Sequence, residues 1–527
     1  MAWNLELRPN VSFGTGGRSG GHEPDNMNFS LLHTLSNNLE KHPERNAFFI
    51  NNIYYTYGDL HDRIKSVYDL ITSETVTTGN CIAILTRDNL ETYAAILATW
   101  YSGNIFVPLN PAAPVSRNME IIRQAGISML LHSDDLPLEF ITLPGFSRHR
   151  ITGLPSSSVK LPDSENPEGL IRYLLFTSGS TGIPKGVPIT AGNLDTFVGS
   201  FIKAGYHFTP ADRFLQIYDF SFDASVHCYS VPLAVGACVY TVPQDEIKFL
   251  YAFKLMKEQQ LTFVKMPPST LSYLQPYFKE IRLDGLHYCL LGGEALYHDL
   301  ALQWAKCVPN ALIQNVYGPT EATVNCTMMN WHKDLPQRKL FNGIVTIGKP
   351  FGKNLAIVVD GKLYPLPNGE KGELCISGPQ VTPGYWNDNE KNNKAFFMSE
   401  YEGQARRFYR TGDLAIMDDE YDLIYCGRMD EQVQVQGFRV ELSEIEIHAR
   451  KFLGPVNVAA VADETATHTV QIYLFIEGAA GSRERLANHL LASLPAYMQP
   501  AGIIFVDVFP KSSGGKINKT ALKDLMK

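Results

Sequence analysis

The feature that most constrains the fold is the regular alternation of short β-rich runs with helical stretches between Phe29 and about Tyr425. Cys81-Ile82-Ala83-Ile84-Leu85 reads as a strand and Leu90 to Tyr101 as a helix. Ile105 to Leu109 is a strand again, and Met119 to Ala125 is helical. Parallel strands need a crossover between them, and helices at this spacing supply it, so the order predicts an α/β fold with parallel-rich sheets. After Tyr425 comes a polar, turn-like stretch, Gly427-Arg428-Met429-Asp430-Glu431, and then a compact segment that ends at Lys527. The chain therefore divides into a large N-terminal core over 27–429, a hinge near Asp430, and a small mobile α+β lid domain over 430–527. Residues 1–26 hold five glycines in the eight positions from Gly14 to Gly21, the composition of a flexible leader.

Charge and cysteine usage exclude several functions. The 46 Lys and Arg against 54 Asp and Glu leave a net charge of −8, which suits neither a nucleic-acid backbone nor an anionic membrane surface. The best apolar stretch, Ala94 to Leu109, is broken by Gly103 and Asn104, too short to span a bilayer. The eight cysteines show no CxxC pair and no metal-ligand spacing, as expected of reduced thiols in the cytoplasm.

The strongest local motif is Thr177-Ser178-Gly179-Ser180-Thr181-Gly182-Ile183-Pro184-Lys185-Gly186, directly after the strand Tyr173 to Phe176. Its glycines let backbone N–H groups converge, its hydroxyls add donors and Lys185 adds charge, a chemistry for holding a polyphosphate. It is not a Walker A loop, because Pro184 precedes Lys185 and Gly186 follows it. Nor is it a nucleophile elbow, since Ser178 stands where the first glycine belongs. Further along come Asn315-Val316-Tyr317-Gly318-Pro319-Thr320-Glu321, Tyr409-Arg410-Thr411-Gly412-Asp413, Gly427-Arg428-Met429-Asp430 and Gly514-Gly515-Lys516.

Together, in this order and spacing, the motifs resemble the adenylate-forming superfamily across the chain from about residue 29. They are most similar to stand-alone adenylation domains of non-ribosomal peptide synthesis and to D-alanine–carrier protein ligases. The resemblance implies attack of a carboxylate on the α-phosphate of Mg-ATP, followed by displacement of AMP by a thiol. Both steps gather negative charge, so cations and aimed donors should carry the catalysis. By resemblance, Thr177, Ser178, Gly179, Ser180, Thr181, Gly182 and Lys185 clamp the phosphates, while Glu321 and Thr181 hold Mg²⁺. Tyr317 stacks on adenine with Asn315, Gly318 and Thr320 around it. Asp413 accepts from the ribose hydroxyls, Arg428 brings a permanent catalytic charge to the ribose and phosphate side, and Tyr425 closes over the nucleoside. Lys516 bridges the substrate carboxylate and the α-phosphate. The sequence departs from the family where Gly514 replaces the usual Asn, and where Gln434 and Gln436 replace Lys and Arg. The second departure puts in doubt any cation from that strand in the second step.

The pocket positions carried over from the family are Asp223, Ala224, His227, Lys265, Leu290, Gly292, Val316, Val324 and Asn325, with Lys516. Asp223 implies a cationic partner, the α-ammonium group of an amino acid, because an unpaired buried carboxylate is costly. Lys265, with His227 and Asn325, suits an acidic or amide side chain. The alternative has Lys265 reaching the surface and the pocket taking a small neutral amino acid. The chain stops eleven residues after Lys516 without a carrier module, so the thiol is expected on the phosphopantetheine arm of a separate carrier protein. Competing readings are an acyl-CoA ligase of the same fold, against which Asp223 speaks, and a catalytically silent nucleotide-binding protein.

Overall fold

The computed structural model describes residues 29–75, 77–162, 167–179, 181–478, 482–511 and 517–526. The expected flexible leader, Ser180 and Lys516 lie outside the described residues.

The alternation produces two large, mainly parallel sheets. In one, the strands Leu312–Tyr317, Tyr288–Gly292, Phe263–Met266, Arg213–Gln216, Cys238–Thr241 and Asn46–Ile50 lie side by side and parallel, with antiparallel strands at both edges. In the other, Ser147–Arg150, Met129–His132, Cys81–Leu85, Ile105–Leu109 and Ile171–Thr177 run parallel, and Lys185–Thr190 pairs antiparallel to the last of these. The helix Leu90–Tyr101 starts where expected because the Asn89 side chain accepts from the Thr92 N–H. Eleven of its twelve residues are buried, as an all-round apolar helix must be. The second expected helix is longer than its apolar periodicity, Val115–Ala125, because Pro114 opens it and Gly126 ends it in the left-handed conformation.

A third, antiparallel sheet carries Gln404–Met417 and Leu423–Arg428, which bring Asp413 and Arg428 opposite each other. Beyond Arg428 the elements form their own sheets. Gln432–Val435 and Phe438–Glu441 make a hairpin, and Val458–Glu464, Val470–Glu477 and Gly502–Val506 make a three-stranded sheet. Separate apolar clusters cover the two faces of the latter, one around Ala460 and Leu474 and one around Val461 and Phe475. Among the described residues no helix is long and apolar enough to cross a membrane, and all eight cysteines are free.

Candidate active site

Three neighbouring parallel strands of the larger sheet end at one crevice: Phe263–Met266, Tyr288–Gly292 and Leu312–Tyr317. Ligands of open α/β sheets bind at such carboxyl ends. The glycine- and hydroxyl-rich motif turns between the strand Ile171–Thr177 and the edge strand Lys185–Thr190, with Thr177 opposite Lys185. Its glycines are needed sterically. A Cβ on Gly179 would collide with the Ile183 carbonyl oxygen, and Gly182 has φ +74°. Ser178 is buried, whereas Thr181 is exposed.

Lys185 leads from this turn to Glu321, which is fully buried in the short turn Thr320–Ala322. Lys185 Nζ lies 3.2 Å from Glu321 Oε1, and the Tyr385 hydroxyl donates to the same oxygen at 2.7 Å. Arg439 Nη1 approaches Oε2 at 3.2 Å. Burial alone would raise this carboxyl's pKa, yet the Lys185 and Arg439 cations hold it well below the usual range. The following Thr323 and Val324 take φ of 55° and 69°, a conformation β-branched residues avoid. Gln380, itself buried, holds them there through its amide and the carbonyls of Ala322, Thr323 and Asn325.

A cavity of about 390 Å³ opens beside this cluster, lined by Asn315, Tyr317, Gly318, Asp413, Tyr425 and Arg428. The Tyr317 hydroxyl donates to Asp413 Oδ2 at 2.5 Å, and Arg428 Nη1 donates to Asp413 Oδ1 at 2.7 Å. Arg428 also forks onto Asp430, Nε to Oδ1 at 2.6 Å and Nη2 to Oδ2 at 2.7 Å. Burial raises the pKa of Asp413 and Arg428 opposes it. Asn315 uses its amide nitrogen on the carbonyls of Val345 and Thr346, which fixes the wall of the cavity.

A second cavity, about 120 Å³, adjoins the first across Gly293, Gly318, Pro319, Gln434 and Arg439. Asp223, Ala224, Lys265, Gly292, Val324 and Asn325 line it, together with Thr320. His227 and Leu290 are buried but are not among its lining residues, and Val316 lines the larger cavity instead. Asp223 begins the helix Asp223–Val235, where the helix dipole favours a carboxylate, and its Oδ2 is buried without a hydrogen-bond partner. Lys265 does not reach the surface; it is 2% exposed, with Nζ 3.3 Å from Asn325 Oδ1 and 3.4 Å from His227 Nδ1.

The C-terminal unit meets the core with its Gln432–Glu441 hairpin in the crevice. Gly437 donates its N–H to Glu294 Oε1 at 2.7 Å, and Ser178 Oγ donates to the Arg439 carbonyl at 2.8 Å. Arg117 pairs with Glu444 at 2.7 Å, and Phe438 packs edge-on against Phe222 and flat on Tyr497. Gln434 lines both cavities, and Gln436, at φ 53°, donates to the Tyr273 hydroxyl. Ile517, next to the undescribed segment with Lys516, packs with Val461 and Phe475. Phe438 and Tyr497 pack with Ala460 and Leu474 on the other face of that sheet.

Tyr385, Arg439, Gln380 and Glu294 were not legible as site residues. The one available signal was Arg439, a cation three positions after Gln436 in the run where the family's usual cations are missing.

A buried Tyr–Asp–Arg cluster beside a glycine- and hydroxyl-rich hairpin turn, closed over by a second unit, defines an α/β enzyme that handles a nucleotide. The model of the family "AMP-binding enzyme" matches residues 35–386, more than half of the chain, and the chain belongs to that family, within the adenylate-forming superfamily. Among curated relatives, one of the plipastatin synthase proteins of Bacillus subtilis (strain 168) is 30% identical over 501 residues. One of the linear gramicidin synthase proteins of Brevibacillus parabrevis is 32% identical over 493 residues. These alignments cover 94% and 92% of this chain but only 19% and 9% of the relatives, so the chain spans less than a fifth of their length. Among solved structures, the adenylation domain AlmE of Vibrio cholerae in complex with glycyl-adenosine-5'-phosphate superposes with a TM-score of 0.83 at 24% identity, covering 96% of this chain and 99% of that one. Holo-PA1221, an NRPS protein containing adenylation and PCP domains, gives 0.83 at 24% identity, covering 94% of this chain and 84% of that one. At that identity the likeness shows the shared fold.

Proposed function

We propose that the protein activates an amino acid as its aminoacyl-adenylate at the expense of ATP, then passes it to the phosphopantetheine thiol of a carrier protein supplied in trans. The observation that carries the amino-acid part is the buried, unpartnered Oδ2 of Asp223 in a cavity next to the Tyr317–Asp413–Arg428 cluster. That carboxylate asks for an ammonium group, which a fatty or aryl acid lacks. Lys265, His227 and Asn325 suit an acidic or amide side chain at the far end.

In this reading the 390 Å³ cavity takes the nucleoside. The Tyr317 ring faces adenine, and Asp413 exchanges its contacts with Tyr317 and Arg428 for the ribose hydroxyls. The Thr177–Lys185 turn holds the outgoing pyrophosphate. Glu321 offers a buried carboxylate oxygen of the kind that Mg²⁺ prefers, provided Arg439 has withdrawn, and Thr181 is a further oxygen donor. Bound there, Mg²⁺ would neutralise phosphate charge. Lys516 approaches the substrate carboxylate and α-phosphate when residues 430–527 turn about Asp430 as a lid. The pose with the 432–441 hairpin in the crevice suits the second step. It leaves a channel of about 530 Å³ between core and lid, lined by Tyr218, Phe249, Tyr273, Phe438 and Tyr497, which reaches the substrate cavity at Tyr218 and Gly437. A slender thiol-tipped arm fits such a passage.

The test is exchange of labelled pyrophosphate into ATP over a panel of aspartate, asparagine, glutamate, glutamine, alanine and a fatty acid, followed by loading of a purified holo-carrier protein. Exchange that depends on an amino acid supports the reading. Exchange with the fatty acid alone, or with nothing, refutes it.

A further inference from the structure

Resting on the reading above of residues 430–527 as a lid with two working poses, we infer that Tyr297 of the core and the lid turn over 464–468 form a latch. It holds the lid in the pose for transfer to the thiol, which makes Tyr297 and His468 positioning residues of the second half-reaction.

The core half is fixed by its own backbone. Tyr297 stands in the loop that leaves the strand Tyr288–Gly292, directly before the helix His298–Cys307, and its carbonyl accepts from the Ala301 N–H. On either side of it, Leu296 accepts from the Val345 N–H and His298 donates to the Gly343 carbonyl. The lid half is the turn between the strands Val458–Glu464 and Val470–Glu477. There Thr465 Oγ1 lies 3.0 Å from Thr467 Oγ1 and 2.7 Å from Thr469 Oγ1, and it accepts from the N–H groups of both. In the turn so tied, His468 takes φ 60°, a left-handed conformation that histidine adopts more readily than most side chains.

The two halves meet through both rings and a shared carboxylate. The His468 ring lies flat on the Tyr297 ring, with centroids 3.7 Å apart and planes 12° from parallel. The Tyr297 hydroxyl donates to Glu464 Oε2 at 2.8 Å, and Glu464 Oε1 lies 2.8 Å from His468 Nδ1. His468 Nε2 is 3.5 Å from Asp299 Oδ2 on the core helix. Burial and the Glu464 carboxylate push the phenol's pKa above its usual value, so Tyr297 stays a donor.

The place of this contact gives it its role. Arg117, Phe222 and Tyr497, which tie the lid to the core elsewhere, border the smaller cavity. Glu464, His468 and Val470 border the nucleotide cavity instead. Anchors on one side alone would let the lid swivel about them; the latch supplies the other side. It lands three residues from Glu294, where the hairpin tip lands through Gly437, so two separate sheets of the lid grip one core loop. In the proposed cycle, rotation about Asp430 carries the turn off Tyr297, so the latch favours the transfer pose and not the adenylating one.

The experiment uses the full chain as wild type, Tyr297→Ala, His468→Asn and the double variant. Asparagine accepts the left-handed backbone, so the turn is kept while the stacked ring is lost. Two rates are measured at saturating ATP: amino-acid-dependent pyrophosphate exchange, and single-turnover transfer to pantetheine, the bare arm of a carrier. Each rate needs one pose, so the ratio of transfer to exchange follows the balance between poses whichever of them dominates. A general loss of stability lowers both rates and leaves the ratio unmoved. The ratio is expected to fall about fivefold or more in each single variant, and no more than about twofold further in the double, because both changes remove one contact. A ratio within about twofold of wild type in His468→Asn, or single losses that multiply in the double variant, overturns the latch and leaves the two-step reading standing. No enzyme-catalysed transfer to pantetheine in the wild type overturns that reading and the latch with it. His468→Asn is decisive by itself if Tyr297→Ala does not fold.

Discussion

Replacing Gln380 by methionine keeps the side chain's length and removes its polar atoms, which isolates what the amide does for the site. Its Nε2 lies 2.8 Å from the Asn325 carbonyl and 3.3 Å from those of Ala322 and Thr323, and its Oε1 accepts from Asn354 at 2.7 Å. Two N–H groups shared among three carbonyls count as about two bonds, each worth roughly 0.5–1.5 kcal/mol net. The carbonyls and the Asn354 amide left dry by methionine add a desolvation cost of about 1–3 kcal/mol. Opposing this is relief of Thr323 and Val324, whose left-handed backbone stores on the order of 1–3 kcal/mol each. The terms nearly cancel if the turn relaxes. The expected outcome is therefore a loss of no more than about 3 kcal/mol in urea unfolding of the core, together with a displaced Glu321–Asn325 segment. Val324 and Asn325 line the substrate cavity, whereas Tyr317 and Asp413 are anchored elsewhere. KM for the amino acid should rise at least tenfold, while the Kd of a fluorescent ATP analogue stays within threefold. An unchanged amino-acid KM in Gln380→Met would refute the idea that this amide holds the strained turn in its working shape.

Arg439→Gln removes the guanidinium that occupies Glu321 Oε2, so half-saturation of pyrophosphate exchange should need severalfold less Mg²⁺, while carrier loading slows at least tenfold; an unaltered Mg²⁺ titration would show that Arg439 and the metal do not compete. Asp430→Pro fixes φ at the proposed hinge and removes the Arg428 fork, so pyrophosphate exchange should persist and transfer to the carrier collapse, as followed by single-turnover loading; normal loading would place the pivot elsewhere. Because burial brings the Lys265 ammonium to about 8, raising the pH through that value discharges it, and kcat/KM for an acidic amino acid should fall by up to tenfold per unit above pH 8 in wild type. The fall should be absent from the ratio of acid to alanine in Lys265→Met.

What the sequence could reveal follows from how local each determinant is. The helix Leu90–Tyr101 and the strands Cys81–Leu85 and Ile105–Leu109 were legible because an N-cap and five-residue apolar runs fix them within a dozen positions. The hairpin turn, Asp413 and Arg428 could be singled out because they stand in short motifs, and the structure brings Asp413 and Arg428 to 2.7 Å of each other. Tyr385 and Gln380 were not, because a tyrosine or glutamine in a polar stretch has no period and no motif, and their partners lie 64 and 55 residues away. Arg439 is the sharper case. Its pairing with Glu321 spans 118 residues and joins the C-terminal hairpin to the core, so it depends on how the two units pack rather than on any local pattern. The same carboxylate that the motif assigns to a metal therefore carries, in this pose, two protein cations and a phenol. A fully buried Glu321 needs positive charge in every pose, and under the proposed cycle the arginine supplies it after Mg²⁺ and pyrophosphate have gone. Lys185 supplies one such charge from the core itself; Mg²⁺, if held by Glu321, would supply a second, at the oxygen that Arg439 approaches here.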